Sequence, residues 1–367
     1  MTTLPTGEQR RRRPPAGEHP RSWLLRRPAP AGELSWRWAA AGVATLVAAL
    51  LGGLALGPAG IPPGAIAGDL VARLPWTDFG SPLSALDDAV LWELRAPRVV
   101  LGALVGATLA LAGGAYQAVF RNPLADPYLL GAAAGAGLGA TIAIVYAGSV
   151  PLPPAAFAGA TAAVGGAYLL GRSVGGGRST ATLILAGVAM AAFLTALQTL
   201  LLQQDTENVR AVYAWLLGRL STSGWADVLL VLPYAAVSVV AVLAHRRVLD
   251  ALRVGDDEAL GLGVPVARVR ILVIGAATLG TAAAVAVSGL IGFVGIVVPH
   301  AVRLLAGSSY RVVLPLSALF GAAFLVLADV IARTALSPAE LPIGVVTACI
   351  GAPFFVLVLR TTGAAST

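Results

Sequence analysis

Charged and nucleophilic side chains are sparse in these 367 residues, so each cluster of them stands out. Leu94–Arg98 reads LRAPR, which sets Arg95 and Arg98 three residues apart with Pro97 between them. Guanidinium forks pair bidentately with carboxylates, so the segment suits an acidic partner. It also suits snorkelling toward lipid headgroups. Pro97 fits the first turn of a helix, where its missing N–H does no harm. Val254–Arg270 reads VGDDEALGLGVPVARVR. Asp256, Asp257 and Glu258 favour the start of a short helix, which Gly263 and Pro265 close. This is either a solvated loop helix or a contact element for a cytoplasmic partner. Gln117–Pro127 reads QAVFRNPLADP, with Arg121, Asn122 and Asp126 polar and Pro123 and Pro127 ending helices. It predicts a tight inner turn. Ser288–His300 reads SGLIGFVGIVVPH, and His300 has no His or Cys beside it, so no metal site is expected there.

Two absences narrow the chemistry. All 25 basic residues are arginine, and without lysine the chain has neither a P-loop lysine nor a Schiff-base lysine. Any P-loop use of ATP needs another chain. Cys349 is the one cysteine, which removes intrachain disulfides and cysteine-rich zinc sites. Neither a zinc motif nor a credible Ser–His–Asp cluster appears.

The elements that position these segments follow from composition. Hydrophobic types make up 57% of the chain and charged types 12%, against about 25% charged in soluble domains. So few charges cannot cover a water-soluble surface. The chain reads as an all-α polytopic membrane protein with about ten transmembrane helices. Apolar runs fall at about 38–57, 98–119, 128–147, 154–171, 180–203, 226–244, 271–288, 293–304, 311–332 and 341–359. Residues 271–305 decide the number. As one helix they would reach about 52 Å, against an apolar bilayer core of about 30 Å. Gly289, Gly292 and Gly295 lie mid-way and Pro299 follows, so a break near 289–292 is expected. Non-helical backbone at that depth must be buried by protein.

Arginine placement orients the spans. With ten crossings and the N-terminus inside, nineteen arginines lie on the inner side and six on the outer. Both termini are then cytoplasmic. Residues 1–37 hold eight arginines and several prolines and cannot build a core. A twin-Arg export signal or a nucleic-acid arm is less consistent with this tail than a cytoplasmic segment that pins the first span. Residues 38–360 form the membrane domain and 361–367 a short cytoplasmic tail. Gly102/Gly106 and Gly131/Gly135/Gly139 are spaced for close helix packing. Asp329 is the main acid within the spans, and it lies within a turn of the outer end. That argues against an ion-gradient carrier, whose coupling sites are usually marked by intramembrane acids.

Three blocks of text resemble the permease subunits of ABC importers for iron–siderophore, haem and cobalamin uptake (FecCD-type, type II importers). They run from Leu94 to Ala136, from Val287 to Gly307 and from Leu327 to Leu359. The likeness covers about residues 40–360 and leaves the Arg-rich tail outside. It implies two permease copies, as a homodimer or with a paralogue, in the cell membrane. It also implies separate ATPase subunits that bind ATP and Mg, and an extracytoplasmic binding protein that delivers a metal chelate. No catalytic residue, resident metal or cofactor and no nucleic-acid partner are implied for this chain. By the same likeness Arg95, Arg98 and Arg333 meet carboxylates of the binding protein. Asp256, Glu258, Leu260, Gly261 and Val264 belong to the loop that couples to the ATPase. Gln117, Asn122, Pro123, Gly289, Gly292 and Pro299 belong to the motifs that shape and gate the path. Ferric siderophore is the expected cargo, with haem or cobalamin as the alternative. An ion-gradient secondary transporter is the alternative of another class.

Overall fold

The computed structural model describes residues 34–74, 76, 80–146, 151–175, 180–221 and 224–363. Most of the expected N-terminal tail and the end of the C-terminal one lie outside the described residues. The described chain is helical: α1 (Trp36–Ala55), α2 (Pro63–Ala72), α3 (Ala85–Ala89), a π-helical segment (Val90–Arg95) and α4 (Ala96–Phe120) come first. There follow α5 (Ala132–Val145), α6 (Leu152–Gly175), α7 (Thr180–Gln204), α8 (Val209–Leu216) and α9 (Trp225–Ala244). The rest are α10 (Arg246–Leu252), α11 (Asp256–Gly261), α12 (Val266–Ser288), α13 (Val294–Ala306), α14 (Tyr310–Thr334) and α15 (Ile343–Gly363).

Seven helices are long and apolar enough to cross a bilayer by themselves. The shorter apolar helices α5, α13 and α15 pack among them and complete about ten spans. α5 and α13 have 14 and 13 residues, about 20 Å each, so neither crosses a 30 Å core alone. Each is preceded by non-helical backbone, at 128–131 and at 289–293, which continues the path under protein cover. The expected break in 271–305 is present: α12 stops at Ser288, and Gly289 (φ 68°) and Phe293 (φ 69°) turn the chain into α13.

α4 is the central post. Every residue from Leu109 to Phe120 is buried. Small residues make this density possible. A Cβ on Gly106 would lie 2.2 Å from the Gly321 carbonyl oxygen of α14, and one on Gly113 would lie 2.0 Å from that of Gly295. Gly135 and Gly139 give α5 the same close approach to α6. Lipid tails are as apolar as leucine, so this backbone proximity and its dispersion contacts replace the hydrophobic effect as the packing force.

Pro97 is the second residue of α4, as expected, but α4 has no free start, because helix runs without interruption from Ala85 through Phe120. The wide π turn at Val90–Arg95 lets the chain pass the proline ring, which would clash in a regular α-helix. In that register Trp92 O would receive the N–H that Pro97 lacks. The Trp225 indole Nε1 donates to it instead, at 2.9 Å.

Candidate functional site

Three regions hold the residues singled out from sequence. The first is at the outer ends of α4 and α14. Arg98 is clamped in α4: its Nε and Nη2 donate to the Asp329 carboxylate at 2.8–3.1 Å. Its Nη1 and Nη2 also donate to Glu340 at 2.9 and 3.0 Å. Asp329 lies one turn before Arg333 on α14, and their charged atoms approach to 3.4 Å. Arg333 and Arg95 are both buried, at 2% and 4% exposure. The reason lies in α1. A helix end leaves its last carbonyls without partners. Arg333 donates to Gly53 O, and Arg95 to Leu54 O and Ala59 O. Two of the three arginines expected to face a partner thus cap the C-terminus of α1, where the macrodipole also favours cations. The network holds two guanidiniums, Arg98 and Arg333, against the carboxylates of Asp329 and Glu340. The intramembrane acid Asp329 is neutralised by its neighbours.

The second region is cytoplasmic. α10 and α11 lie between α9 and α12, joined by Gly255 (φ 148°), a backbone region open to glycine. A Cβ there would also strike the Glu258 carboxylate, which folds back over the turn. Asp256 points inward, 3.1 Å from Arg270 and 3.6 Å from Arg121. It anchors the loop to α12 and to the end of α4. Val264 is half-buried, and its N–H donates to Ala259 O at 3.0 Å, closing α11. Glu258, Leu260 and Gly261 are exposed. Val254 and Leu262, which sequence reasoning did not single out, join Leu260 in showing 57–71% of their surface. Three large apolar side chains thus stand exposed together on one charged loop. The run VGDDEALGLG carried the signal, since no buried periodicity accounts for its apolar residues.

The third region is the broken helix. Gln117 is buried at the end of α4 and donates to Ala125 O (3.2 Å) and Gly295 O (3.0 Å). Its Oε1 accepts from Arg303 of α13. Asn122 caps its own turn by accepting from Leu124 N at 2.9 Å. Pro123 follows at the exposed edge, and Pro299 is buried within α13. The Tyr128 hydroxyl donates to Ile291 O at 3.0 Å and accepts from Ile291 N at 3.3 Å, clamping the unwound link. Beside it, Arg219 N donates to Ser288 O (2.8 Å) and Gly344 N to Leu217 O (3.0 Å). Gly289 sits tight against Trp215 O, whereas Gly292 is half-exposed with open space at its Cβ position. Sequence reasoning missed Tyr128 and the α8 turn, because their partners are far away in the chain. Burial pushes the Asp126 carboxyl up to about 6, against the opposing effect of the Tyr128 N–H that it accepts.

Alongside the break runs an open groove of about 660 Å³, lined by Leu216, Leu217, Leu290, Phe293, Val345 and Cys349 among others. It is almost wholly apolar. Among the described residues no group of His, Cys, Asp and Glu could hold a metal ion.

Comparison with known proteins agrees with this architecture. The profile of the FecCD transport family matches residues 42–361. A cobalamin import permease of Halobacterium salinarum is 45% identical over 77% of this chain and 76% of its own. An Fe(3+)-citrate import permease of Bacillus subtilis is 40% identical over 75% of this chain and 82% of its own. An uncharacterised ABC transporter permease of the same bacterium is 42% identical over 79% and 85%. A solved structure described as an inward-facing metal-chelate type ABC transporter superposes with a TM-score of 0.77 at 29% identity. It covers 89% of this chain and 100% of that one. The chain is therefore a multi-pass membrane permease of the ABC importer class and belongs to the FecCD transport family.

Proposed function

We propose that this permease imports ferric siderophores by alternating access, together with a second permease copy, two ATPase subunits that bind ATP and Mg, and an extracytoplasmic binding protein. The observation that carries the cytoplasmic half is the exposed apolar patch Val254, Leu260 and Leu262 on a loop anchored through Asp256. An ATPase seated there moves the loop, and Asp256 passes the motion to Arg270 on α12 and Arg121 at the end of α4. The absence of lysine supports the division of labour, because a P-loop in this chain would lack its phosphate-binding side chain.

The apolar groove beside the broken helix supports a second permease copy there. Two such faces together enclose a weakly polar path that touches a bulky chelate without trapping it. Ligands shift the two access states only through differential affinity for them. On the outer face Arg98 is the docking residue for a carboxylate of the binding protein, with Glu340 as the group displaced. Arg95 and Arg333 hold α1 in place beneath it.

The test is uptake into proteoliposomes containing permease and ATPase, with binding protein supplied outside. Arms contain labelled ferric siderophores, haem and cobalamin. ATP-dependent entry of a ferric siderophore, lost in the Leu260→Asp, Leu262→Asp double variant, is the expected result. Entry of haem or cobalamin alone reassigns the cargo within the same machinery. Uptake driven by a proton or sodium gradient without ATP would overturn the reading.

A further inference from the structure

A basic pocket lies at the cytoplasmic ends of the helices, with Gln117, Arg121 and Pro123 on its edge, and the reading above gives the cavity itself no ligand. Its volume is about 200 Å³, and Arg121, Arg253, Arg303, Ser308 and Tyr310 line it. These side chains come from the end of α4, the end of α10, the last turn of α13 and the turn into α14. Three guanidiniums thus converge from separate elements on one cavity.

The charges around it do not balance. Asp250 approaches Arg253 at 3.8 Å and Arg311 at 3.6 Å. Asp256 approaches Arg121 at 3.6 Å and Arg270 at 3.1 Å. Arg303 has no carboxylate within 4.0 Å among the described residues, and its Nη2 donates only to the neutral Gln117 amide. Five arginines therefore share two aspartates, an excess of three positive charges. Both aspartates are also engaged elsewhere. Asp250 accepts from Ser309 Oγ and Tyr310 N at 2.6 Å each, capping α14. Asp250 cannot move into the cavity without uncapping that helix, and Asp256 is held by Arg270 at 3.1 Å.

Arg253 is pre-positioned. Its Nη2 donates to Ser308 Oγ at 3.0 Å, and its guanidinium lies 5.9 Å from the Tyr310 ring centroid. Each guanidinium carries five N–H donors, and most of those facing the pocket remain uncommitted. Planar donor forks that surround a small cavity match the tetrahedral oxygens of a phosphate group. Helix ends on the cytoplasmic side also lie at the depth of headgroup phosphates, where basic pockets hold anionic lipids.

We propose that this pocket is a binding site for a phosphate-group anion, supplied by the headgroup of an acidic phospholipid of the inner leaflet. The bound phosphodiester carries one negative charge and offsets part of this excess. It also competes with Asp256 for Arg121, so its presence sets how firmly the coupling loop is anchored.

The test is native mass spectrometry of the full-length permease titrated with phosphatidylglycerol or phosphatidylcholine. In a parallel arm, inorganic phosphate is titrated while thermal unfolding is followed. Arg253→Gln removes a rim charge without disturbing the buried Gln117–Arg303 bond. Arg303→Lys keeps the charge and loses the fork. Arg172→Gln, an exposed change at the end of α6, is the control. Phosphatidylglycerol retention falling at least tenfold in R253Q and R303K, with R172Q and phosphatidylcholine unaffected, is the expected result. Protection by inorganic phosphate alone, lost in the same variants, keeps the phosphate site and overturns the lipid source. Equal binding of both probes by wild type and R253Q overturns the proposal. So does a variant that loses only the ATPase, which would make the pocket a protein contact.

Discussion

The outer arginine network and the cytoplasmic loop look alike in sequence, as short charged segments at the ends of spans, yet they fold in opposite senses. At the outer end the charges turn inward. Arg95 and Arg333 are consumed by the carbonyls at the end of α1, and Arg98 by two carboxylates. In the loop the charges anchor from beneath while Val254, Leu260 and Leu262 face outward. Helix chemistry accounts for the difference. α1 ends beside the arginines with carbonyls that need donors, whereas α11 is a short helix whose own turn is closed by Val264 N. The outer region spends its charges on internal contacts and the inner one leaves apolar surface exposed. Each substitution should then move either stability or partner binding and spare the other.

The largest effect belongs to Asp329. Asp329→Ala leaves Arg98 with only the half-exposed Glu340 and leaves Arg333 with no carboxylate. Removing one partner of a buried pair costs about 3–5 kcal/mol. Thermal unfolding of the purified variant in detergent should show a loss of this order, or the protein should fail to accumulate in the membrane. A variant as stable as wild type would show that the network is solvated and that its arginines are free for docking.

Next is the loop. Leu260→Asp with Leu262→Asp removes the apolar patch and leaves Asp256 and its arginines in place. A disrupted hot spot costs about 2 kcal/mol or more, about thirtyfold in affinity. ATPase co-purification should collapse while the unfolding midpoint of the permease alone stays within a degree or two. An equal fall in stability would mean that the patch packs internally, and the contrast with the outer region would fail.

Glu340→Gln sharpens the outer half. Glu340 is 45% exposed, so its ion pair with Arg98 is worth about 1 kcal/mol or less. Stability should barely change. Affinity for the binding protein, measured by surface capture, should rise because Arg98 loses its internal competitor. A fall in affinity would make Glu340 itself the docking group.

How legible these regions were from sequence depends on the range of the physics involved. Most spans are written locally, in about 20 consecutive apolar residues, so the predicted runs match helices to within a few residues at most ends. The break at Gly289 was legible too, because a 35-residue apolar run cannot fit a 30 Å core as one helix. The direction of Arg95 was not. Its partners, Leu54 O and Ala59 O, are backbone atoms about forty positions away and leave no mark in side-chain pattern. The π turn before Pro97 was hidden for the same reason, since Trp225 supplies the donor that compensates the proline. The Tyr128 clamp on Ile291 spans 163 positions.

The smallest effect tests whether the turn between α4 and α5 belongs with the inward-facing region or the exposed one. Asp126 precedes the Tyr128 clamp, and its carboxyl is raised to about 6 by burial, from an ordinary value of about 3.9. A raised folded-state value means that the fold prefers the neutral acid. Its stabilising contribution is complete below about pH 4 and is lost as pH rises through 6. Asp126→Asn stays neutral throughout and keeps an oxygen for the Tyr128 N–H. The difference in unfolding midpoint between wild type and D126N should therefore change between pH 4 and 6.5, with wild type falling relative to the variant, and then level off. Comparing the two proteins cancels the titration of every other acid. A flat difference would show that water reaches Asp126 and that the clamp does not depend on its charge. A slope confined to that window would place the turn with the inward-facing region. Ionised Asp126 near neutral pH would then leave the Tyr128–Ile291 clamp less firmly held, next to the unwound link that must move when the path opens.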